Sequence, residues 1–222
     1  MERLIQFVRA ILAGIAISIG GYAYLSCENK YVGALAFCVG LISVVMLKLN
    51  LYTGKIGCII TESPAYLADT LLSVPGNLIG CLCAGLLFPP RGNVAALCAA
   101  KLEKSLFTAF ADAVFCGILI YICVEIWKKR STVIGIVFCV PVFILCGFEH
   151  SVADMFYFIN ARVFSGEAVL FILAVLLGNA TGAVLFHGAL SIGSFSIGAR
   201  SAPEEENNEA PAPAEENNEA PA

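Results

Sequence analysis

Apolar residues fill six stretches of the chain, near 4–26, 32–47, 65–88, 107–127, 132–148 and 168–190, with short polar segments between them. A helix of about 20 apolar residues crosses the hydrocarbon core of a bilayer, so the pattern predicts six transmembrane helices. The first stretch is longer than the roughly 7–15-residue core of a signal peptide, and no small-x-small cleavage site precedes its charged end; it reads as a span. Two spans are interrupted. In the second, Lys48, Asn50, Leu51, Tyr52, Thr53, Gly54 and Lys55 intervene before apolar residues resume at Ile56. The fifth breaks in the same way at 148–154, after a run from 131 to 148 without a charged residue. Irregular backbone at membrane depth is tolerated only where it lines a water-filled cavity or is buried in protein.

Two five-residue frames divide the chain. Gly76-Asn77-Leu78-Ile79-Gly80 in the third span and Gly178-Asn179-Ala180-Thr181-Gly182 in the sixth share the form Gly-Asn-x-x-Gly, 102 residues apart. Glycines at helical spacing admit a neighbouring backbone closely. Spans 1–3 and 4–6 then form two halves, and an odd number of spans per half sets them in opposite orientation. Each half carries one interrupted helix, which points to a site near the midplane, with Thr53 and His150 facing each other across it.

Composition supports this class. Hydrophobic residues make up 59% of the chain, charged residues 14%, and the mean hydropathy is +0.86. Soluble domains carry about 25% charge and 45–50% apolar residues. The net charge of −4 is set by residues 201–222, which hold seven glutamates, no basic residue and two copies of Glu-Glu-Asn-Asn-Glu-Ala-Pro-Ala. That segment has little to bury and is expected to be a disordered acidic tail beyond a pore domain of residues 1–200. The remainder has 13 basic and 10 acidic residues, and its excess of +3 suits an anion. Arg3, Arg9, Lys128, Lys129, Arg130 and Arg200 fall on one side, and Lys30, Arg91, Lys101, Lys104 and Arg162 on the other. The tight 128–130 cluster places both termini in the cytoplasm and the chain in the cell membrane as a multi-pass protein. Most of the ten cysteines lie inside apolar runs as small hydrophobes, and only Cys27 and Cys98 are disulfide candidates. Cys81-x-Cys83 lacks metal or redox spacing, so no metal or cofactor is expected, nor a nucleic-acid partner.

The chemistry concentrates in Glu149-His150-Ser151-x-x-Asp154, since an ionisable group at membrane depth marks a functional site by default. An imidazole exchanges protons near neutrality, and a threonine hydroxyl orients a polar solute. Asp154 is expected to cap the half-helix after the break, and Glu149 to cap or brace the loop. His187 has no polar neighbour in its run, and Asp69, Asp112 and Glu125 read as helix-end or inter-protomer partners. Moving an anion into a low-dielectric constriction costs on the order of 20 kcal/mol. Protonating a simple carboxylate at neutral pH costs only about 4 kcal/mol. The chain is thus expected to pass a small monovalent anion as its conjugate acid, with His150 relaying the proton. A neutral-solute channel for water, glycerol or urea shares the halved architecture, but no paired Asn-Pro-Ala loops are present. An intramembrane enzyme would need a nucleophile or metal set, and Ser151 beside His150 lacks triad partners at recognisable spacing.

Leu51-Tyr52-Thr53-Gly54, the two Gly-Asn frames and the string from Gly147 to Phe156 occur in an order that resembles the formate–nitrite transporter family, over nearly all of residues 1–200. The resemblance implies a homopentamer with an aquaporin-like fold and one pore per protomer. It implies transport of formate first, then nitrite or hydrosulfide. His150 matches the family's central histidine and Thr53 its loop threonine. Leu41, Leu51 and Tyr52 map onto the cytoplasmic constriction, and Phe37 and Phe143 onto the outer one. The vestibule lysine maps to Lys104, with Lys101 as the alternative. Two departures stand out: the family asparagine of the fourth span is missing, leaving either Tyr121 in that region as the stand-in or no such contact, and Lys48, Asn50 and Lys55 replace the commoner Glu-Leu-Phe-Thr-Gly-Asn loop.

Overall fold

Nine α-helices and one 3₁₀ turn make up the regular structure in a computed structural model that describes the backbone of residues 1–198 and the side chains of residues 1–192. The acidic tail and Arg200 lie outside the described residues. In chain order the elements are α1 (Glu2–Ser26), α2 (Lys30–Met46), α3 (Tyr52–Lys55), the 3₁₀ turn Ile56–Ile60, α4 (Pro64–Leu87), α5 (Val94–Leu102), α6 (Leu106–Arg130), α7 (Ile134–Leu145), α8 (Ser151–Asn160) and α9 (Gly166–Gly198). Helices α1, α4, α6 and α9 are long and apolar enough to cross a membrane, while α2 and α7 are shorter apolar helices. Side-chain caps set several starts: Asn29 Oδ1 accepts from Tyr31 and Val32, Ser63 Oγ from Tyr66 behind Pro64, and Ser105 Oγ from Thr108. Lys128, Lys129 and Arg130 in the last turn of α6 complement its dipole.

Helices α2 and α7 stop in the same way. Lys48 (φ 53°) and Gly147 (φ 72°) take the left-handed conformation just past each helix. Leu49 N–H then donates to Val44 O and Phe148 N–H to Phe143 O, each at 2.9 Å. This closure satisfies late helix carbonyls and turns the chain inward. Glycine enters that conformation freely, whereas a lysine there costs about 1–2 kcal/mol.

Packing pairs α1 most extensively with α4, and α6 with α9. Gly14 lies against the Asn77 carbonyl and Gly117 against the Asn179 carbonyl, so closely that a Cβ at either would collide with backbone. Gly80 and Gly182 of the two frames lie as closely against the Ile11 and Val114 carbonyls, which accounts for small residues there and brings each asparagine against the opposite helix. Phe37, Leu41, Ile120, Ile136, Val140 and Phe156 fill the centre, and every residue of α8 is buried. The outer faces stay apolar: Val39, Leu71, Phe107, Phe138, Leu177 and Leu185 are exposed. A surface this apolar needs lipid or another apolar surface against it. Asn50 ties the 47–51 segment to the start of α1, donating to Gln6 O at 2.9 Å and to Arg9 O at 3.4 Å. Lys129, Arg130 and Leu190 line one surface cavity, so α6 and α9 end on a common face. Lys128 shares a second cavity with Asn50, which places the start of α1 on that face too.

Candidate functional site

Two carboxamides build the centre. Asn77, on α4, accepts Tyr52 N–H at 3.0 Å and donates to Asn50 O at 2.9 Å and Ala10 O at 2.8 Å. Asn179, on α9, accepts Ser151 N–H at 3.0 Å and donates to Glu149 O and Ala113 O, both at 2.9 Å. Each asparagine therefore satisfies the first amide of the short helix α3 or α8 and the carbonyl two residues before it. No water is needed there, which lets irregular backbone sit deep in an apolar protein.

The two short helices bring Thr53 and His150 together: Oγ1 and Nε2 are 2.9 Å apart, with both residues buried. His150 caps α8, its Nδ1 accepting Ala153 N–H at 3.2 Å. An amide can only donate, so Nδ1 is an acceptor, and the proton of the neutral ring sits on Nε2 and points at the threonine oxygen. Phe143 stacks on the imidazole at 5.7 Å between centroids and meets Phe37 edge to face at 5.8 Å. The cap expected of Asp154 is instead made by His150. Asp154 is the fourth residue of α8, and an N-cap side chain must stand before the first.

Asp154 belongs to an ionic cluster. Lys101, from α5, pairs with Glu149 and, at 2.9 Å, with Asp154 Oδ1. Lys104 reaches Glu149 and Asp112, each at 2.7 Å, and Gly147 O at 3.0 Å. Glu149 thus braces the loop between two ammonium groups. Asp154 Oδ2 and Ser151 Oγ are buried without a hydrogen-bond partner. Burial works against the Lys104 ammonium, but hydrogen bonds to Asp112 and Glu149 together with the charges of those carboxylates outweigh it and raise its pKa above the ordinary lysine value.

A cavity of about 70 Å³ opens on this cluster, lined by Lys101, Phe143, Phe148, His150, Asp154 and Tyr157 among others. Lys101 lines it and Lys104 does not. Helix α5, which carries Lys101, is absent from the six-stretch reading because nine residues are too few to register as a span. A cavity of about 250 Å³ lies beyond Thr53, lined by Leu41, Leu51, Gly54 and three lysines, Lys48, Lys55 and Lys128. Tyr52 is not among its lining residues; its hydroxyl donates to Leu176 O at 3.2 Å.

The remaining polar candidates find partners of their own. Tyr121 does not stand beside His150, because its hydroxyl pairs at 2.9 Å with His187 Nδ1. His187, without a polar neighbour in sequence, also has Thr61 Oγ1 at 3.2 Å from Nε2; both partners come from distant elements. Asp112 serves Lys104, and Glu125 serves Lys129 at 3.3 Å. Cys27 and Cys98 are free thiols, as are the other eight cysteines. Among the described residues no group of His, Cys, Asp and Glu is arranged to hold a metal ion.

The sequence model of the formate/nitrite transporter family matches residues 1–193. The chain is 27% identical over 182 residues to the formate channel FocB of Escherichia coli (strain K12), covering 68% of this chain and 64% of that one. It is 28% identical over 181 residues to the formate channel FocA of the same strain, with the same coverage. The chain thus spans just under two thirds of the length of these curated relatives. Among solved structures, an FNT family ion channel shares the fold with a TM-score of 0.76 at 23% identity, covering 86% of this chain and 90% of that one. A structure described as a pentameric formate channel with formate bound gives 0.70 at 23% identity, covering 90% and 98%. These relatives are channels by name, not enzymes, and with helices this apolar among its described residues the chain is an integral membrane protein. With its family model matched from residue 1 to residue 193, the chain belongs to the formate/nitrite transporter family.

Proposed function

We propose that the chain forms a pore for small monovalent anions, formate first and then nitrite or hydrosulfide, that cross as their conjugate acids. The observation that carries this reading is the buried Thr53–His150 contact, flanked on either side by a cavity. His150 lines one cavity; Leu51 and Gly54, neighbours of Thr53, line the other. In this reading α2 with α3 and α7 with α8 are the interrupted second and fifth of six spans, arranged as two inverted halves in an aquaporin-like plan. Five copies assemble, each with its own pore, in the cytoplasmic membrane with both termini inside. The relative described as a pentameric formate channel supports that assembly.

Lys101 draws the anion into the small cavity, in place of the Lys104 assignment, because only Lys101 lines it. Phe37, Phe143, Leu41 and Leu51 form apolar slits around the pair, where a bare carboxylate would be costly. His150 can pass a proton only as the imidazolium: Nδ1 takes one up at the expense of its bond to Ala153 N–H, and Nε2 then releases its own proton to the anion, leaving a neutral ring. Thr53 accepts that proton's hydrogen bond and keeps its own hydroxyl proton for the solute.

Formate uptake by proteoliposomes tests the role of Lys101. Lys101→Gln alone strands the buried Asp154 carboxylate, so the pair Lys101→Gln with Asp154→Asn is the informative variant. It removes one charge of each sign and leaves Glu149 with Lys104. Losing one charge-assisted contact is expected to raise the half-saturating formate concentration about tenfold. Lys104→Gln is expected to change it less. Wild-type saturation in the double variant would remove Lys101 from the pathway.

A further inference from the structure

We propose that the lysine-lined cavity on the face where α6 and α9 end is a docking site for the acidic repeat of the same chain, and that docking throttles anion passage. The docking stands on its own; the throttling rests on the pore reading above.

The cavity, about 250 Å³, has Lys48, Lys55 and Lys128 in its lining and no aspartate or glutamate. Its local neutralisation is partial. Glu125 lies 3.9 Å from Lys128 but also serves Lys129 at 3.3 Å. Lys55 leans on neutral groups, 3.5 Å from Asn50 Oδ1 and 4.8 Å over the Tyr66 ring, with Glu62 and Asp69 acting on it only through space. Lys48 is the informative member. It holds a left-handed backbone where the matching turn of the other half has Gly147. A residue kept in a disfavoured conformation where glycine would relax it points to a use for its side chain.

The ligand chemistry is set by what leaves the same face. Helix α9 runs to Gly198, and residues 201–222 follow with seven glutamates and no basic residue. A chain of about 20 residues reaches up to about 65 Å, ample to return to a cavity on that face. Tethering also raises the local concentration of the segment into the millimolar range. The glutamates recur in two copies of Glu-Glu-Asn-Asn-Glu, so either copy offers several carboxylates to three ammonium groups. Carboxylates seated there repel an anion at the mouth and occupy the lysines that would attract it.

The test uses the full-length chain with the seven tail glutamates changed to Gln, and a labelled synthetic peptide of residues 204–220. The peptide is expected to bind this protein in detergent, with at least about tenfold weaker binding at 0.5 M than at 0.05 M salt. Adding Lys48→Gly and Lys128→Gln is expected to weaken binding about tenfold, and Lys48→Gly relieves backbone strain rather than adding it. Formate flux in the Gln-tail protein should exceed wild type several-fold at low salt and match it at high salt. Peptide binding that is absent, or indifferent to the lysine changes, overturns the docking. Equal flux in the two full-length chains at low salt overturns the throttling. A wild-type chain that carries no formate at all would refute the pore reading, and peptide binding would still decide the docking.

Discussion

Asn179→Ala is expected to abolish the folded protein in detergent while Ser151→Ala, in contact with the same network, leaves it intact. The carboxamide is the partner of Ser151 N–H and of Glu149 O, both buried at the start of α8. Alanine leaves those groups unsatisfied at about 1–3 kcal/mol each. Two of them remove a large part of the roughly 5–15 kcal/mol that holds a typical fold together. Ser151 Oγ has no partner to lose. Asn77→Ala is expected to fail in the same way, since its bonds to Tyr52, Asn50 and Ala10 repeat those of Asn179. Recovery of monodisperse protein and its thermal midpoint check this. Asn179→Ala melting within a few degrees of wild type would show that the α8 start is held by something else.

His150→Asn is expected to fold but to lose formate transport by at least about tenfold. Asparagine is among the best N-caps and can accept from Ala153 N–H in place of Nδ1, so α8 keeps its start. It is too short to present a donor where Nε2 meets Thr53, and a hydrogen bond to a charged group contributes about 1.5–3 kcal/mol. That range corresponds to a loss of about 10- to 150-fold. His150→Ala removes cap and donor together, so it also unfolds more readily. Comparing the two separates the structural duty of the ring from its chemical one. Flux in His150→Asn with the wild-type rate and the wild-type dependence on pH would remove the ring from proton exchange.

What the sequence discloses, and what it hides, follows from how far apart the partners lie. The long helices were legible because their apolar runs are local, and so was the repeat, since Gly14, Gly117 and the two frames serve close helix crossings. The meeting of Thr53 with His150 could be read from two matched interruptions in the pattern. The function of Asn77 and Asn179 was only half visible: their spacing marks equivalence, but nothing local says that each carboxamide fastens a short helix 25–28 residues away in the chain. Lys101 stood second to Lys104 in the sequence because α5 is too short to announce itself and counting from the fourth span favours Lys104. The Tyr121–His187 and Thr61–His187 contacts span 66 and 126 residues and depend on how α6, α9 and the 3₁₀ segment converge. Asp154 carried the composition of a cap but sits one turn too late, with an imidazole already in that place.

Formate uptake into proteoliposomes with a pH dye inside, at zero membrane potential, tests the central claim most directly. If the solute crosses as its conjugate acid, each molecule delivers a proton. The lumen should then acidify in step with uptake, and both rates should rise as the outside pH falls. If flux appears only under an imposed voltage, with the internal pH unmoved, the bare anion permeates, and neutralisation beside His150 is wrong.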